Sequence, residues 1–99
     1  MILAKVVGTV VASRKEPSLD GVKMLLLERL DEKCAGKNDY VVAVDAVGAG
    51  EGEVVLFASG SSARQTTLTQ ERPVDAVVMA IVDSFALEGE TVYRKADES

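Results

Sequence analysis

Between Asp45 and Arg64 an apolar run, residues 53–58, is bounded on both sides by loops of small residues. Upstream lies Asp45-Ala46-Val47-Gly48-Ala49-Gly50-Glu51-Gly52, and downstream Ser59-Gly60-Ser61-Ser62-Ala63-Arg64. A short apolar segment entered through glycines reads as a strand. The glycines do not form a nucleotide loop. Their spacing is not G-x-G-x-x-G, no ten-residue helical pattern follows them, and the lysine and hydroxyl that end a P-loop are missing. They suit a hairpin connection that needs positive φ. They also suit a place where a second backbone comes close, and the two readings are compatible.

The rest of the chain repeats this alternation of strand and turn. Residues 2–12 are rich in Val and read as a strand, with Gly8 marking a bend or bulge. Residues 13–21 are a charged loop. Residues 22–30 are ambiguous, because Leu, Met, Glu and Arg favour helix while the run also fits a strand buried on both sides. Residues 31–39 read as a turn, and 40–47, 74–83 and 90–95 as strands, with Glu88-Gly89-Glu90 turning between the last two. Residues 61–66 fit one helical turn with Ser61 or Ser62 at its N-cap. Residues 67–73 are polar and end at Pro73, and 96–99 read as a frayed tail. Six short strands and one short helix in 99 residues predict an all-β single domain over 1–99, either a small barrel or a sandwich.

Composition narrows the chemistry. A chain of 99 residues buries only ~60–70% of the surface it exposes when unfolded, yet 47% of its residues are hydrophobic. That excess leans toward an oligomer that hides apolar faces between copies. The net charge is −5, Lys and Arg form no cluster, and Tyr40, Phe57, Phe85 and Tyr93 are the only aromatics. Nucleic-acid binding needs a basic stripe and stacking platforms, so it is not expected. With no His in the chain there is no Ser-His-Asp triad and no base to activate Cys34, which reads as a passive loop residue in a reducing compartment. No S-x-x-K stands in the Ser59–Arg64 loop. Asp45, Asp75 and Asp83 lie at the ends of apolar runs, where they cap turns or pair with Arg, and no calcium-loop pattern is present, so no metal and no cofactor are expected. Arg64 reads equally well as a solvated arginine and as a fixed fork for a carboxylate, with Asp45, Glu53, Asp75 and Asp83 as candidates, within the chain or across a subunit boundary. The N-terminus lacks a signal-peptide pattern and no apolar run approaches ~18 residues, so a soluble cytoplasmic protein is expected.

The two loops at their mutual spacing resemble the EutN/CcmL family, the pentameric vertex proteins of bacterial microcompartment shells. The resemblance extends to the opening strand, to Lys23-Met24-Leu25-Leu26-Leu27, to Pro73-Val74-Asp75 and to Ile81-Val82-Asp83. It departs at Ala80, where the family usually has glycine. It implies that 22–30 is a strand, and that the fold is a five-stranded OB-like β-barrel assembled as a cyclic pentamer. It also implies a structural role at the five-fold vertices of a shell, docked among hexameric facet proteins, with no catalytic activity. On that reading Asp45, Gly48, Gly50, Gly52, Glu53, Ser59, Gly60, Ser61, Ser62 and Arg64 serve subunit contact. The alternative from a different class is an OB-like binding module for a small ligand or single-stranded nucleic acid.

Overall fold

The structure, a computed structural model, describes residues 1–70 and 74–98. Seven strands appear: β1 (Ile2–Val10), β2 (Met24–Leu30), β3 (Gly36–Asp45), β4 (Val54–Ser59), β5 (Ala76–Ile81), β6 (Ser84–Leu87) and β7 (Glu90–Arg94). The first five close into a barrel in the order β1-β2-β3-β5-β4, and β6 and β7 form a separate two-stranded ribbon. Among the described residues the helical content is three short 3-10 turns, over Pro17–Leu19, Gly60–Arg64 and Lys95–Glu98. This is the OB-like all-β barrel expected from the resemblance.

Period-two alternation builds the interior. Ala4 and Val6 of β1, Leu25 and Leu27 of β2, Ala43 of β3, Val55 and Phe57 of β4, and Ala76 and Val78 of β5 share one core. Leu25 and Leu27 are fully buried while the intervening Leu26 is half-buried, which is a strand's signature. The helical propensity of 22–30 therefore loses to pairing with β1 on one side and β3 on the other. Gly8 sits where expected, at a register shift between Val6 and Gly8 that bends β1 around the barrel.

All barrel pairings are antiparallel except β3 with β5. That seam registers only Val44 with Val77 and Asp45 with Val78. Residues of the opposite parity point outward. Met24, Val44, Val77 and Ala58 are successive cross-strand partners and form a row across four strands. This row is covered by Val22, Ala63 and Val74 with Leu19 and Leu68. The ribbon covers a third cluster, where Tyr93 and Phe85 pack with Leu30, Val54, Leu3, Cys34 and Val82.

Several boundaries differ from the sequence reading. β3 begins at Gly36 rather than Tyr40, because exposed Lys37 and Asp39 extend the hairpin with β2 beyond its apolar part. The run 74–83 is shorter, and β6 follows it as a strand the sequence did not separate. Residues 96–98, expected as a frayed tail, lie in the last 3-10 turn, anchored by Lys95 N–H donating to Asp83 O at 2.8 Å. Pro73, at the end of the polar run 67–73, falls outside the described residues, as does Ser99.

Candidate assembly site: two loops at the ends of one strand

β4 carries one small-residue loop at each end. Its six residues span about 20 Å. Within one subunit the two loops are therefore separate features, not one constellation.

The loop before β4 is closed by its own carboxylates. Asp45, buried at the end of β3, accepts at one oxygen, Oδ1, from the N–H groups of Val47 and Gly48, both at 3.0 Å. Gly48 and Gly52 take φ of 78° and 88°, which explains glycine at both. Glu53 Oε1 accepts from Gly50 N–H at 2.6 Å, and Gly52 N–H and Glu53 O pair with Val6 at 2.8 and 2.9 Å. Ala49 is fully buried in the barrel core, and Lys23 Nζ reaches its carbonyl at 3.5 Å. The intrachain turn is thus a sufficient reason for Gly48 and Gly52. Gly50 differs: its φ is not positive, and an added Cβ would meet only Glu53 Oε1 at 3.5 Å.

Glu53 has a second partner. Its Oε2 accepts from Lys95 Nζ at 2.5 Å, so one carboxylate ties the glycine loop to the end of the ribbon. The Lys95 ammonium, together with the Gly50 N–H, holds the Glu53 carboxyl below the ordinary glutamate value, and Glu53 in turn raises Lys95.

The loop after β4 is held differently. Ser59 occupies the N-cap position of the 3-10 turn but makes no side-chain cap bond, and Ser61 and Ser62 lie inside the turn, so neither is the N-cap. Ser59, Gly60, Ser61 and Ser62 are all exposed. The anchor is Ala63, fully buried, whose carbonyl accepts from the buried hydroxyl of Thr69 at 2.5 Å. Gly60 N–H donates to Asp75 O at 2.9 Å. Among the described residues Arg64 donates to the carbonyl of Val74, at 3.4 Å, and pairs with none of Asp45, Glu53, Asp75 and Asp83 inside the subunit.

Of the site residues read from the sequence, the structure joins Asp45 to Gly48 and Glu53 to Gly50. Lys95 and Thr69 were not singled out. Lys95 lies 42 residues from Glu53 and carries no local signal, whereas Thr69 is a threonine in a polar run with nothing to set it apart. Cys34 is half-buried beside Tyr93, at a φ of 65° in the turn after β2.

Fold and loops together define a small OB-like barrel whose distinctive features are backbone turns rather than reactive groups. The family model described as ethanolamine utilisation protein EutN/carboxysome matches residues 1–83, and the chain belongs to this EutN/CcmL family. It is 52% identical over 99 residues, the whole of both chains, to the carboxysome shell vertex protein CcmL of Synechococcus elongatus. The solved structure of Gloeobacter violaceus CcmL superimposes with a TM-score of 0.94 at 49% identity, covering 98% of this chain and 100% of that one. The GrpN pentameric microcompartment shell protein from Rhodospirillum rubrum gives 0.81 at 46% identity, covering 88% and 99%. At position 80, the one departure from the family pattern noted above, Ala80 is half-buried opposite Leu56, beside a register shift in the β4–β5 pairing.

Proposed function

We propose that five copies of this chain close into a ring that forms a five-fold vertex of a bacterial microcompartment shell in the cytoplasm, docked among hexameric facet proteins. The observation that carries this reading is the full-length match to a shell vertex protein, on a barrel that superimposes on CcmL with a TM-score of 0.94. The whole chain acts as one domain, and its role is geometric rather than catalytic. A planar sheet of hexamers cannot close, and five-fold units at the corners supply the curvature. A ring of identical subunits needs a heterologous interface, in which two different surfaces of the chain meet.

The two loops suit such an interface because they sit at opposite ends of β4. The loop from Asp45 to Glu53, with Gly48, Gly50 and Gly52, offers close backbone approach. The loop of Ser59, Gly60, Ser61, Ser62 and Arg64 offers exposed hydroxyls and a guanidinium with no carboxylate partner among the described residues. An OB-like binding module for single-stranded nucleic acid is disfavoured by the net charge of −5 and the few aromatics.

Native mass spectrometry of the purified protein at micromolar concentration tests the reading. The expected result is a pentamer; a species that stays monomeric would refute it.

A further inference from the structure

The segment between β1 and β2 makes a tight turn at Asp20-Gly21 just before it enters the barrel. Asp20 has φ −62° and ψ 137°, and Gly21 has φ 77°. These are angles of a type II turn, whose third position needs positive φ and so takes glycine. One hydrogen bond closes it, from Val22 N–H to Leu19 O at 3.2 Å. Leu19 and Val22, on either side, both pack on the cluster of Val44, Ala58 and Val77. Val44 and Val77 are themselves registered partners in the β3–β5 seam. Asp20 and Gly21 are exposed, so the turn crosses water between two apolar anchors that cover the seam.

Three features set this aspartate apart. It is the only one in the chain followed by glycine. Its carboxylate has no hydrogen bond or ion pair among the described residues. By contrast, Asp31 and Asp45 each accept from two backbone N–H groups, and Asp39 pairs with Arg29. The Gly21 N–H is also unengaged among the described residues, while the N–H groups of Asp20 and Val22 donate to Pro17 O and Leu19 O. Apart from its chain neighbours, no atom lies within 4 Å of where a Cβ on Gly21 would stand. A carboxyl carbon and a free amide nitrogen therefore stand in one residue pair, with open space around them.

We propose that Asp20 is a site of spontaneous isomerisation to isoaspartate, and that the conversion loosens the segment covering the β3–β5 seam. Gly21 N attacks Cγ of the protonated Asp20 carboxyl. The N–Cγ bond forms, the amide proton and the carboxyl hydroxyl leave together as water, and a five-membered imide results. Water then opens the imide. Attack at Cγ restores aspartate. Attack at the Asp20 main-chain carbonyl breaks its bond to Gly21 N, and the chain then runs on through Cβ and Cγ. Ring closure requires rotation about Asp20 ψ, which the single turn bond opposes and the exposed loop allows. The product carries an extra backbone carbon between Leu19 and Val22, for which the closed turn has no place.

The test ages the purified full-length protein at mildly acidic pH beside a synthetic peptide of residues 16–23. Trypsin then releases the same Glu16–Lys23 segment from the protein, and it holds no other aspartate. Expected is an isomer of unchanged mass, identified as isoaspartate by electron-transfer fragmentation and forming within severalfold of the peptide's rate. Asp20→Asn should convert faster, with loss of ammonia, and Asp20→Glu should give no isomer. An unchanged Asp20 in the aged protein, or an isomer that persists in Asp20→Glu, would overturn the site. Urea unfolding of the aged protein reads the consequence. Aged wild type should gain a transition at lower urea that aged Asp20→Glu lacks. A single unshifted transition in protein already shown to be converted would overturn the link to the seam.

Discussion

The two loops flanking β4 look alike in sequence, being short, glycine-containing and rich in small residues. They are built on opposite principles. The Asp45–Glu53 loop satisfies itself: two carboxylates accept three backbone N–H groups, and Ala49 plugs the barrel. The Ser59–Arg64 loop is pinned at Ala63 and by the Gly60 N–H on Asp75 O, and leaves its serines exposed. A loop that meets its own hydrogen-bonding needs is a folding element first. One that leaves them unmet at a surface is available to a neighbour. Glu53 and Gly50 complicate that contrast. Gly50 is the one glycine of the first loop that neither backbone angle nor intrachain packing requires.

The contrast can be broken most sharply at assembly. Arg64→Ala should leave a folded β protein by circular dichroism and shift the size distribution from ring to smaller species. Gly50→Val should do the same if the first loop also meets a neighbour. An unfolded Gly50→Val would return that glycine to the turn alone, and intact rings in both variants would remove both loops from the interface.

The next effect is on folding, and falls on the first loop only. Asp45→Ala strips a buried carboxylate from two N–H groups and should cost about 2 kcal/mol in urea unfolding of the subunit. Gly48→Ala, at a φ of 78° with no atom near the added methyl, should cost about 1 kcal/mol from backbone strain alone. Equal losses from Arg64→Ala in the same measurement would erase the distinction between the loops.

The smallest effect concerns the tie between the first loop and the ribbon. The Glu53 carboxyl titrates lower in the folded chain than in the unfolded one. Its contribution is therefore fully present above the usual glutamate range and is lost as the pH falls through the lowered folded value. Thermal unfolding of wild type and Glu53→Gln should converge in that acid range and differ slightly at neutral pH. A gap that stays constant with pH would show that the pair with Lys95, being exposed, adds nothing.

Much of this was legible in the residues. Apolar runs bounded by turn residues placed β1, β3, β4 and β5, and Gly8 announced its bulge. At β2 the local propensities pointed to helix, and only the family resemblance favoured a strand, since the pairing that decides the matter lies on β1 and β3. β6 was missed because Ser84-Phe85-Ala86-Leu87 is four residues long and follows an apolar run with only Asp83 to mark the break. The serines were misassigned as N-caps because composition says that a cap residue is present but not which serine leads the turn. The closure of the first loop by Asp45 was within reach of sequence reasoning. The reach of Lys95 to Glu53 was not, because the fold alone brings them together.

The brevity of the β3–β5 seam has a kinetic side. The β1–β2 and β2–β3 pairings join neighbours in sequence and can zip early. The seam joins strands separated by both loops and by the whole of β4, so the entropy of closing that long segment is met by only two registered pairs. The barrel is held closed at this seam by fewer registered pairs than at any of its other pairings. Whatever presses on Val44 and Val77 from outside, including the chain's own covering segment, acts as the latch.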